Sequence, residues 1–170
     1  MTHVYTILYD ATVLTGDEEC PRATALAWAA DTILAIGETA TVRAISRGDS
    51  RFIALPGRLI TLAPARPDAV EQSLREAVGM ADTKGVEAIL ASLRRLGPTD
   101  PVRRLEIGEP ADRAIWSADP AALAPREAER LRIEAIVRSG RFTRGDPIHG
   151  PYHLDPALEP QCLHSGPTGG

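Results

Sequence analysis

The sequence predicts a mainly β (α+β) fold, in which an N-terminal and a C-terminal β-rich segment flank two central helices. Three observations support this class. Short β-rich runs separated by turn residues occupy residues 4–62 and 103–144, the hydrophobic period becomes helical between them, and an apolar content of 44% over 170 residues suffices for one core. Aromatic residues make up only 4% of the chain, so we expect a core of Ala, Val, Leu and Ile.

The first third of the sequence consists of predicted strands separated by turns. In residues 4–9 the apolar side chains alternate, so Tyr5, Ile7 and Tyr9 are expected on one face. Pro56-Gly57 is a strong turn signal between two further runs. The other elements predicted in this third are a short helix at residues 39–45 and strands at residues 12–15, 23–30, 32–36, 52–55 and 59–62.

The middle of the sequence has the hydrophobic spacing of two helices. Apolar residues recur at helical intervals in residues 68–81 and again in residues 83–96. Pro67 suits the first turn of the first helix, where no amide donor is needed, and Gly97-Pro98 ends the second. We expect a helical hairpin with a buried stripe that consists of Val70, Leu74, Ala77 and Val78 in the first helix and Val86, Ile89, Leu90, Leu93 and Leu96 in the second.

The last third returns to β structure. Asp119-Pro120 is a turn signal that follows two short β-rich runs. Ser139-Gly140 is the expected turn of a hairpin. The elements predicted here are strands at residues 105–108 and 111–117, a short helix at 126–131, and hairpin strands at 133–137 and 141–143.

The domain organisation follows from the length and from the end of the periodic pattern. From Arg144 onward Gly, Pro and His dominate, and no apolar period remains. We expect a single domain at residues 1–146 with a helical insert at residues 67–97, followed by an irregular or partly disordered tail at residues 147–170.

Composition and charge exclude several classes of function. The formal net charge is -4 and the pI is about 5.6, so we expect no nucleic-acid partner. No apolar run approaches the length of a membrane span, and the N-terminus lacks the pattern of an export signal. We therefore expect a cytoplasmic protein with no membrane partner, in which Cys20 and Cys162 are free thiols.

Two segments of the sequence resemble the metal-dependent amidohydrolases, especially their exoenzyme-like third branch. The first is YTILYDATVLTGDEECPRATALAWAADTILAIGETATVRAI followed by RFIALPGRLITLAP, and the second is RRLEIGEPADRAIWSADPAALAPREAERLRIEAIVRSGRF. A "PRA-A-A" run and the "G-x-PAD-x-x-x-x-x-x-DP" and "V-x-x-G-R" patterns carry the likeness, which covers roughly 100 residues in the family's order. The resemblance implies that both segments fold as one composite β-sandwich, which in that family packs beside a catalytic barrel.

The interval between the two segments departs from the family's pattern. The resemblance implies an Asp-x-His-x-His run that begins a metal site, whereas residues 63–69 read APARPDA and contain no histidine. A (β/α)8 barrel needs about 250 residues, which the interval from Leu62 to Arg103 cannot hold. The resemblance therefore carries over the sandwich and none of the catalytic residues, and hydrolysis by the family's metal-dependent route is not expected.

Loss of the barrel leaves one face of the predicted sandwich without its neighbour. An exposed apolar patch of several hundred Å² is unusual for a soluble monomer. We expect either that the central helices cover this face or that a second subunit covers it in a homodimer.

The tail contains a cluster of candidate metal ligands, which are nitrogen and sulfur donors of the kind that zinc prefers. Gly150-Pro151 keeps the first two histidines of the cluster from sharing a helix face, and the spacing matches no familiar zinc module. A polar tail without metal is the alternative, and we expect no metal or other cofactor. The cluster consists of His149, His153, Cys162 and His164, with Asp146 upstream.

Other chemically capable residues have structural explanations. Trp28 and Trp116 lie in predicted strands and are expected in the core or an interface. Asp112 and Asp119 are expected to serve turns, and Lys84 to lie in an exposed turn between the helices. The charged residues expected on solvated helix faces are Glu71, Arg75, Glu76, Glu87, Arg94 and Arg95.

Three hypotheses about function follow from the sequence. The first is a non-catalytic pseudoenzyme that oligomerises or binds a protein partner. The second is a small-molecule binding protein, or a metal-free cyclase or isomerase, that uses the cavity exposed by loss of the barrel. The third is a subunit that complements a separate barrel chain.

Overall fold

In the computed structural model, residues 4–94 and 105–145 are described, and they form ten strands, three α-helices and two short 3₁₀ turns. The strands are β1 (Tyr5–Tyr9), β2 (Thr12–Leu14), β3 (Arg22–Ala23), β4 (Ala25–Ala29), β5 (Thr32–Gly37), β6 (Arg51–Ala54), β7 (Leu59–Leu62), β8 (Arg113–Trp116), β9 (Ile133–Arg138) and β10 (Arg141–Arg144). The helices are α1 (Thr39–Arg43), α2 (Pro67–Gly79) and α3 (Thr83–Ser92), and the 3₁₀ turns are Pro120–Ala122 and Pro125–Arg130. Among these residues, no helix has both the length and the hydropathy that crossing a membrane requires.

The strands form two sheets packed face to face, which confirms the mainly β class. One sheet has four strands in the order β5-β4-β1-β6, and the other has six in the order β10-β9-β8-β7-β2-β3. The pairs β1–β6 and β2–β7 are parallel, and the other pairs are antiparallel. One buried cluster joins the two inner faces, and its members include Leu8, Leu26, Ile53 and Leu55 from the first sheet and Val13, Ile60, Leu62 and Ile115 from the second.

The six-stranded sheet is composite, as the sequence predicts. Its strands β7 and β8 come from opposite sides of the helical insert and pair antiparallel from Leu59↔Trp116 to Leu62↔Arg113. The N-terminal segment contributes β2, β3 and β7 to this sheet, and the C-terminal segment contributes β8, β9 and β10. The two segments therefore close on each other directly, and no intervening element is needed to join them.

The chain passes between the sheets at corners, and one such corner corrects a prediction. The single strand expected at residues 23–30 is wrong, because β3 belongs to the six-stranded sheet and β4 to the four-stranded sheet. At the corner, the Thr24 carbonyl accepts from the Ala11 amide at 3.1 Å and the Thr24 amide donates to the Gly37 carbonyl at 3.0 Å. Hydrogen bonding continues through the bend, and all five residues of β4 are buried. The hydrophobic pattern of the sequence therefore shows no break at Thr24.

The two central helices cover the outer face of the six-stranded sheet. Helices α2 and α3 turn their apolar side chains onto it, as the predicted stripe requires. α2 spans Pro67–Gly79 and α3 spans Thr83–Ser92, whereas Leu96 lies outside the described residues. The buried cluster between helices and sheet contains Leu74, Ala77, Val78, Val86, Leu90 and Leu93 from the helical side and Leu14, Leu59, Ala114, Trp116, Ile133 and Ile136 from the sheet.

The short helix α1 covers part of the outer face of the four-stranded sheet. Its buried Val42 packs against Ile7 and Tyr9, the outward side chains of β1. The guanidinium of Arg43 lies 5.7 Å from the centroid of the Tyr9 ring, a cation–π contact. Both sheets are therefore partly covered by helices on their outer faces.

One predicted strand of the last third is absent, and the short helix predicted after it is present. Residues 105–108 form a turn rather than a strand, in which the Gly108 amide donates to the Ile33 carbonyl at 2.9 Å and the Ile33 amide donates to the Glu109 carbonyl at 3.0 Å. Gly108 has a φ of 89°, which ends any extended conformation, so this segment caps the β5 edge without joining the sheet. The short helix expected at residues 126–131 is present as the second 3₁₀ turn, at Pro125–Arg130.

The connection between α2 and α3 consists of residues 80–82 and does not include Lys84. Ala81 has a φ of 54°, and the Asp82 carboxylate caps α3 by accepting from the Gly85 amide at 2.9 Å. Lys84 therefore lies in the first turn of α3, not in a turn between helices, although it is exposed as predicted.

Candidate binding site at the open end of the sandwich

The predicted metal ligands cannot be placed in this structure. Asp146, His149, His153, Cys162 and His164 all lie outside the described residues. Within residues 4–94 and 105–145, no three His, Cys, Asp or Glu side chains approach one another closely enough to hold a metal ion. Cys20 is exposed, and its thiol is free.

The most unusual side chain in the described core is Arg113, which the sequence analysis did not single out. On β8, Ala114 and Trp116 face the helices, while Arg113 and Ile115 face the interior between the sheets. Arg113 is 0% exposed. The signal was present in the sequence, because an arginine between two apolar residues of the same parity, Ala111 and Ile115, occupies an inward position of a strand.

Arg113 belongs to a row of side chains at one end of the sandwich. In the six-stranded sheet, strand register aligns Arg113 with Leu62 on β7 and with Val137 on β9. In the facing sheet, Thr6 is aligned with Trp28 on β4 and with Arg51 on β6. The two rows face each other where the space between the sheets opens.

The Arg113 guanidinium is stacked on an aromatic ring and lacks hydrogen bonds. Its central carbon lies 3.4 Å from the centroid of the Trp28 ring. None of its three nitrogens has a hydrogen-bond partner among the described residues. A cation–π contact in a dry site is worth about 2 kcal/mol, whereas burying an ion costs several kcal/mol. The ring therefore offsets only part of the cost.

The charge of Arg113 persists despite its burial. Burial lowers the pKa of the Arg113 guanidinium well below its usual value, and the neighbouring Asp112 carboxylate raises the pKa by a smaller amount. An arginine guanidinium keeps its proton in proteins. The lowered pKa therefore expresses the energetic cost of holding a cation in this place.

A cavity of about 750 Å³ opens beside the two rows. Trp28 lines this cavity and also stacks on Arg113, so the ring separates the buried guanidinium from the open space. The volume lies within the range of small-molecule sites. The other lining residues are Val4, Thr6, Ala30, Asp31, Arg51, Ser139, Gly140 and Arg141.

The rim of the cavity is fixed by the turn between β9 and β10. The Trp28 Nε1–H donates to the Gly140 carbonyl at 3.2 Å, and the Ser139 amide donates to the Asp112 carboxylate at 2.6 Å. Gly140 has a φ of 75°, and a Cβ at this position would lie 1.6 Å from the Ala30 carbonyl oxygen. The close approach of the two turns therefore requires glycine here.

A second, smaller cavity of about 260 Å³ lies between the helices and the 3₁₀ turns. Val78, Val86 and Leu123 give it an apolar wall, and Asp82 and Glu87 are acidic residues in its lining. The Asp82 carboxylate already caps α3, and Glu87 is exposed. This groove has no buried group in need of a partner, so it is the weaker candidate.

Glu71 corrects the prediction that it lies on a solvated helix face. It is 8% exposed and points from α2 toward the sheet. Its carboxylate accepts from the Ile133 amide at 2.8 Å and from Arg75 Nη2 at 2.6 Å, while Arg75 Nε donates to the Leu131 carbonyl at 2.6 Å. Glu71 therefore joins the helical layer to the start of β9.

Most of the remaining predicted positions agree with their structural explanations. Trp28 and Trp116 are buried, and Trp116 Nε1 donates to Thr61 Oγ1 at 3.0 Å. Asp119 caps the first 3₁₀ turn by accepting from the Ala121 amide at 3.0 Å, and Asp112 accepts from Ser139 as given above. Glu76 and Glu87 are exposed as predicted, whereas Arg95 lies outside the described residues. The prediction is wrong for Arg94, which is half-buried with its Nε shielded from solvent.

The comparisons with known proteins do not assign this chain to a family. No protein-family model matches it, and no curated protein does. Among solved structures, the crystal structure of A. niger ochratoxinase aligns with 16% sequence identity and a TM-score of 0.28. The alignment covers 50% of this chain and 24% of that one, so this chain spans about a quarter of the length of that structure.

Proposed function

We propose that this chain is a stand-alone composite β-sandwich of amidohydrolase type that acts by binding and not by metal-dependent hydrolysis. One observation carries the proposal: α2 and α3 pack on the outer face of the six-stranded sheet. They do so in the sequence interval in which the resemblance implies the catalytic barrel. The chain thus supplies its own cover for that face.

The helical cover is anchored by polar contacts as well as by apolar packing. Glu71 and Arg75 of α2 bind the backbone of Ile133 and Leu131, so each end of this contact has a hydrogen-bond partner. Val86 and Leu90 of α3 are buried in the same layer. A separate barrel chain would have to displace this layer, so these contacts favour binding over the complementing-subunit hypothesis.

The open end of the sandwich is the part that a ligand can still reach. Its cavity has the size of a small-molecule site, and a charged group without hydrogen bonds to the described residues lies behind its wall. This combination supports binding of a small molecule more directly than it supports turnover, because a buried guanidinium holds a ligand but is a poor proton donor or acceptor.

A hydrolysis assay with the full chain tests the proposal. The protein is incubated with Zn²⁺ or Mn²⁺ and then with N-acyl amino acids, dipeptides and lactones, and no metal-dependent turnover is expected. Metal-stimulated cleavage that a chelator abolishes would contradict the proposal. A variant in which His149, His153, Cys162 and His164 are alanine shows whether any bound zinc resides in the tail.

The second candidate function is homodimerisation through the edge strand β6. This strand pairs with β1 on one side, and in that parallel ladder the Leu55 amide donates to the Tyr9 carbonyl at 2.9 Å. Alternation then directs the backbone groups of Phe52 and Ala54 away from β1. No strand of residues 4–94 and 105–145 pairs with the outer side of β6, and an edge of this kind is a template for strand addition by a second copy.

Light scattering after size exclusion tests the dimer hypothesis. A dimer that Ala54→Pro converts to a monomer is the expected result, because proline removes an outward amide and leaves the ladder to β1 intact. Unchanged thermal melting of the variant would show that its fold is kept. A wild-type monomer, or a dimer that persists in folded Ala54→Pro, would contradict pairing through β6.

A further inference from the structure

We propose that the open-end cavity binds a small dicarboxylate, with one carboxylate paired to Arg113 and the other held by Arg51 and Arg141 at the rim. The inference deepens the proposed function by naming the site and the ligand class. It rests on that function only in taking binding as the role of the chain.

The first argument is the unfinished coordination of Arg113. Its guanidinium carries five N–H donors, yet the contacts given by the described residues are the Trp28 ring and the nearby charge of Asp112. Burial of donors without acceptors is rare and costly. A ligand that supplies acceptors at this position would offset part of the energetic cost of burying the guanidinium.

The second argument concerns the shape of the ligand's charged group. The planar guanidinium fork matches the two oxygens of a carboxylate in a bidentate pair. Leu62 and Val137 flank Arg113 in its row and are apolar, so they offer no side-chain donors for the additional oxygens of a phosphate. The inner subsite therefore favours a carboxylate over a phosphate.

The third argument concerns a second charge on the ligand. Arg51 and Arg141 are exposed and line the cavity, and Asp31 is the one acidic residue among its described lining. Arg51 lies two positions from the buried Ile53 on the inward face of β6, so its side chain starts from the same row as Thr6. A cavity of about 750 Å³ leaves room for a short chain between an inner and an outer carboxylate.

The fourth argument is that Trp28 controls access. The ring is held by its hydrogen bond to Gly140 and by an edge contact with Phe142 at 6.1 Å between centroids. Pairing of a carboxylate with Arg113 requires the ring to move from the guanidinium, which exchanges a cation–π contact for a charge-assisted pair. Trp28 fluorescence should therefore change on binding, whereas Trp116 is 0% exposed beneath the helices and should report little.

Titration of the full chain with succinate tests the proposal. Binding is measured by calorimetry and by tryptophan fluorescence. Butyrate is the matched monocarboxylate and inorganic phosphate is the alternative anion. Saturable succinate binding is expected, with butyrate about 5- to 10-fold weaker because it lacks the exposed rim pairs. Phosphate is expected to bind more weakly than butyrate.

Variants assign the two subsites. Arg113→Met should weaken succinate binding by about 50-fold or more, since it removes the charge that pairs with the inner carboxylate. Arg113→Lys should weaken it by about 10-fold, since the charge remains and the fork is lost. The double variant Arg51→Gln, Arg141→Gln should reduce succinate affinity to that of butyrate, and Arg126→Met, an exposed arginine on the second 3₁₀ turn, should leave both affinities unchanged.

Several outcomes would overturn the proposal. They are no saturable signal with succinate in folded protein, succinate affinity undiminished in Arg113→Met, equal affinity for butyrate and succinate, or tighter binding of phosphate. If Arg113→Met does not fold, undiminished binding in Arg113→Lys has the same meaning. Failure of this site leaves the proposed function standing, whereas metal-dependent hydrolysis would overturn the proposed function itself.

Discussion

Glu71 and Arg113 are both buried charged residues, but their surroundings differ. Glu71 is 8% exposed and has two donors within 2.8 Å, the Ile133 amide and the Arg75 guanidinium. Arg113 is 0% exposed, stacks on Trp28 and has no hydrogen bond to a described residue. A buried charge whose hydrogen bonds are all satisfied can stabilise the fold. A buried charge that lacks hydrogen bonds destabilises the fold, so its presence requires another explanation.

The two residues also occupy different parts of the molecule. Glu71 lies between α2 and the six-stranded sheet, where α2 and α3 cover the outer face of that sheet. Arg113 lies between the sheets at the end with the larger cavity. The comparison therefore separates a contact that maintains the fold from a position available for a ligand.

The largest expected effect is on the stability of Glu71→Ala. Truncation leaves the Ile133 amide and the Arg75 guanidinium without their acceptor, and the free energy of unfolding should fall by about 2–4 kcal/mol. Urea denaturation measures the change. Glu76→Ala, at an exposed position of the same helix, should change it by less than about 0.5 kcal/mol. Equal effects of the two substitutions would show that Glu71 is not an anchor.

A smaller effect of opposite sign is expected for Arg113→Met. Methionine fills a similar volume without a charge, so the free energy of unfolding should rise by about 1–3 kcal/mol. Denaturation in urea with an unchanged m-value checks this. A loss of stability would indicate that the stacked guanidinium serves the fold, and the contrast with Glu71 would disappear.

The smallest expected effect is the coupling between Trp28 and Arg113. Phenylalanine at position 28 keeps a ring but weakens the cation–π contact, so a cycle of Trp28→Phe and Arg113→Met should give a coupling of about 0.5–1.5 kcal/mol. Stability measurements on the two single variants and the double variant supply the value. A coupling near zero would mean that the ring contributes nothing to holding the charge.

Much of the fold was predictable because it depends on local period. The alternation in β1 placed Ile7 and Tyr9 on one face and Leu8 on the other, as the structure shows. The helical stripe that includes Leu74 and Val86 identified both central helices and their buried sides. The join of β7 to β8 was expected from the resemblance, not from any local pattern.

The candidate site was not predictable in the same way. The inward position of Arg113 could be predicted from its parity with Ile115. Its lack of hydrogen bonds depends on which residues of β7 and β9 align with it and on its contact with Trp28 of the facing sheet. Glu71 was misassigned because charged residues on a helix are usually solvated, although its spacing with Leu74 and Val78 placed it on the apolar stripe. The bend at Thr24 left no trace in the hydrophobic pattern.

The most direct test of a charge kept for binding is the unfolding free energy of wild type and Arg113→Met, each measured with and without saturating succinate. Arg113→Met is expected to be the more stable protein without succinate. Succinate is expected to stabilise wild type more than Arg113→Met, so that the difference in unfolding free energy between the two proteins narrows or reverses. If Arg113→Met is less stable without succinate, or if succinate stabilises both proteins equally, Arg113 is a structural residue and the open end is not its binding site.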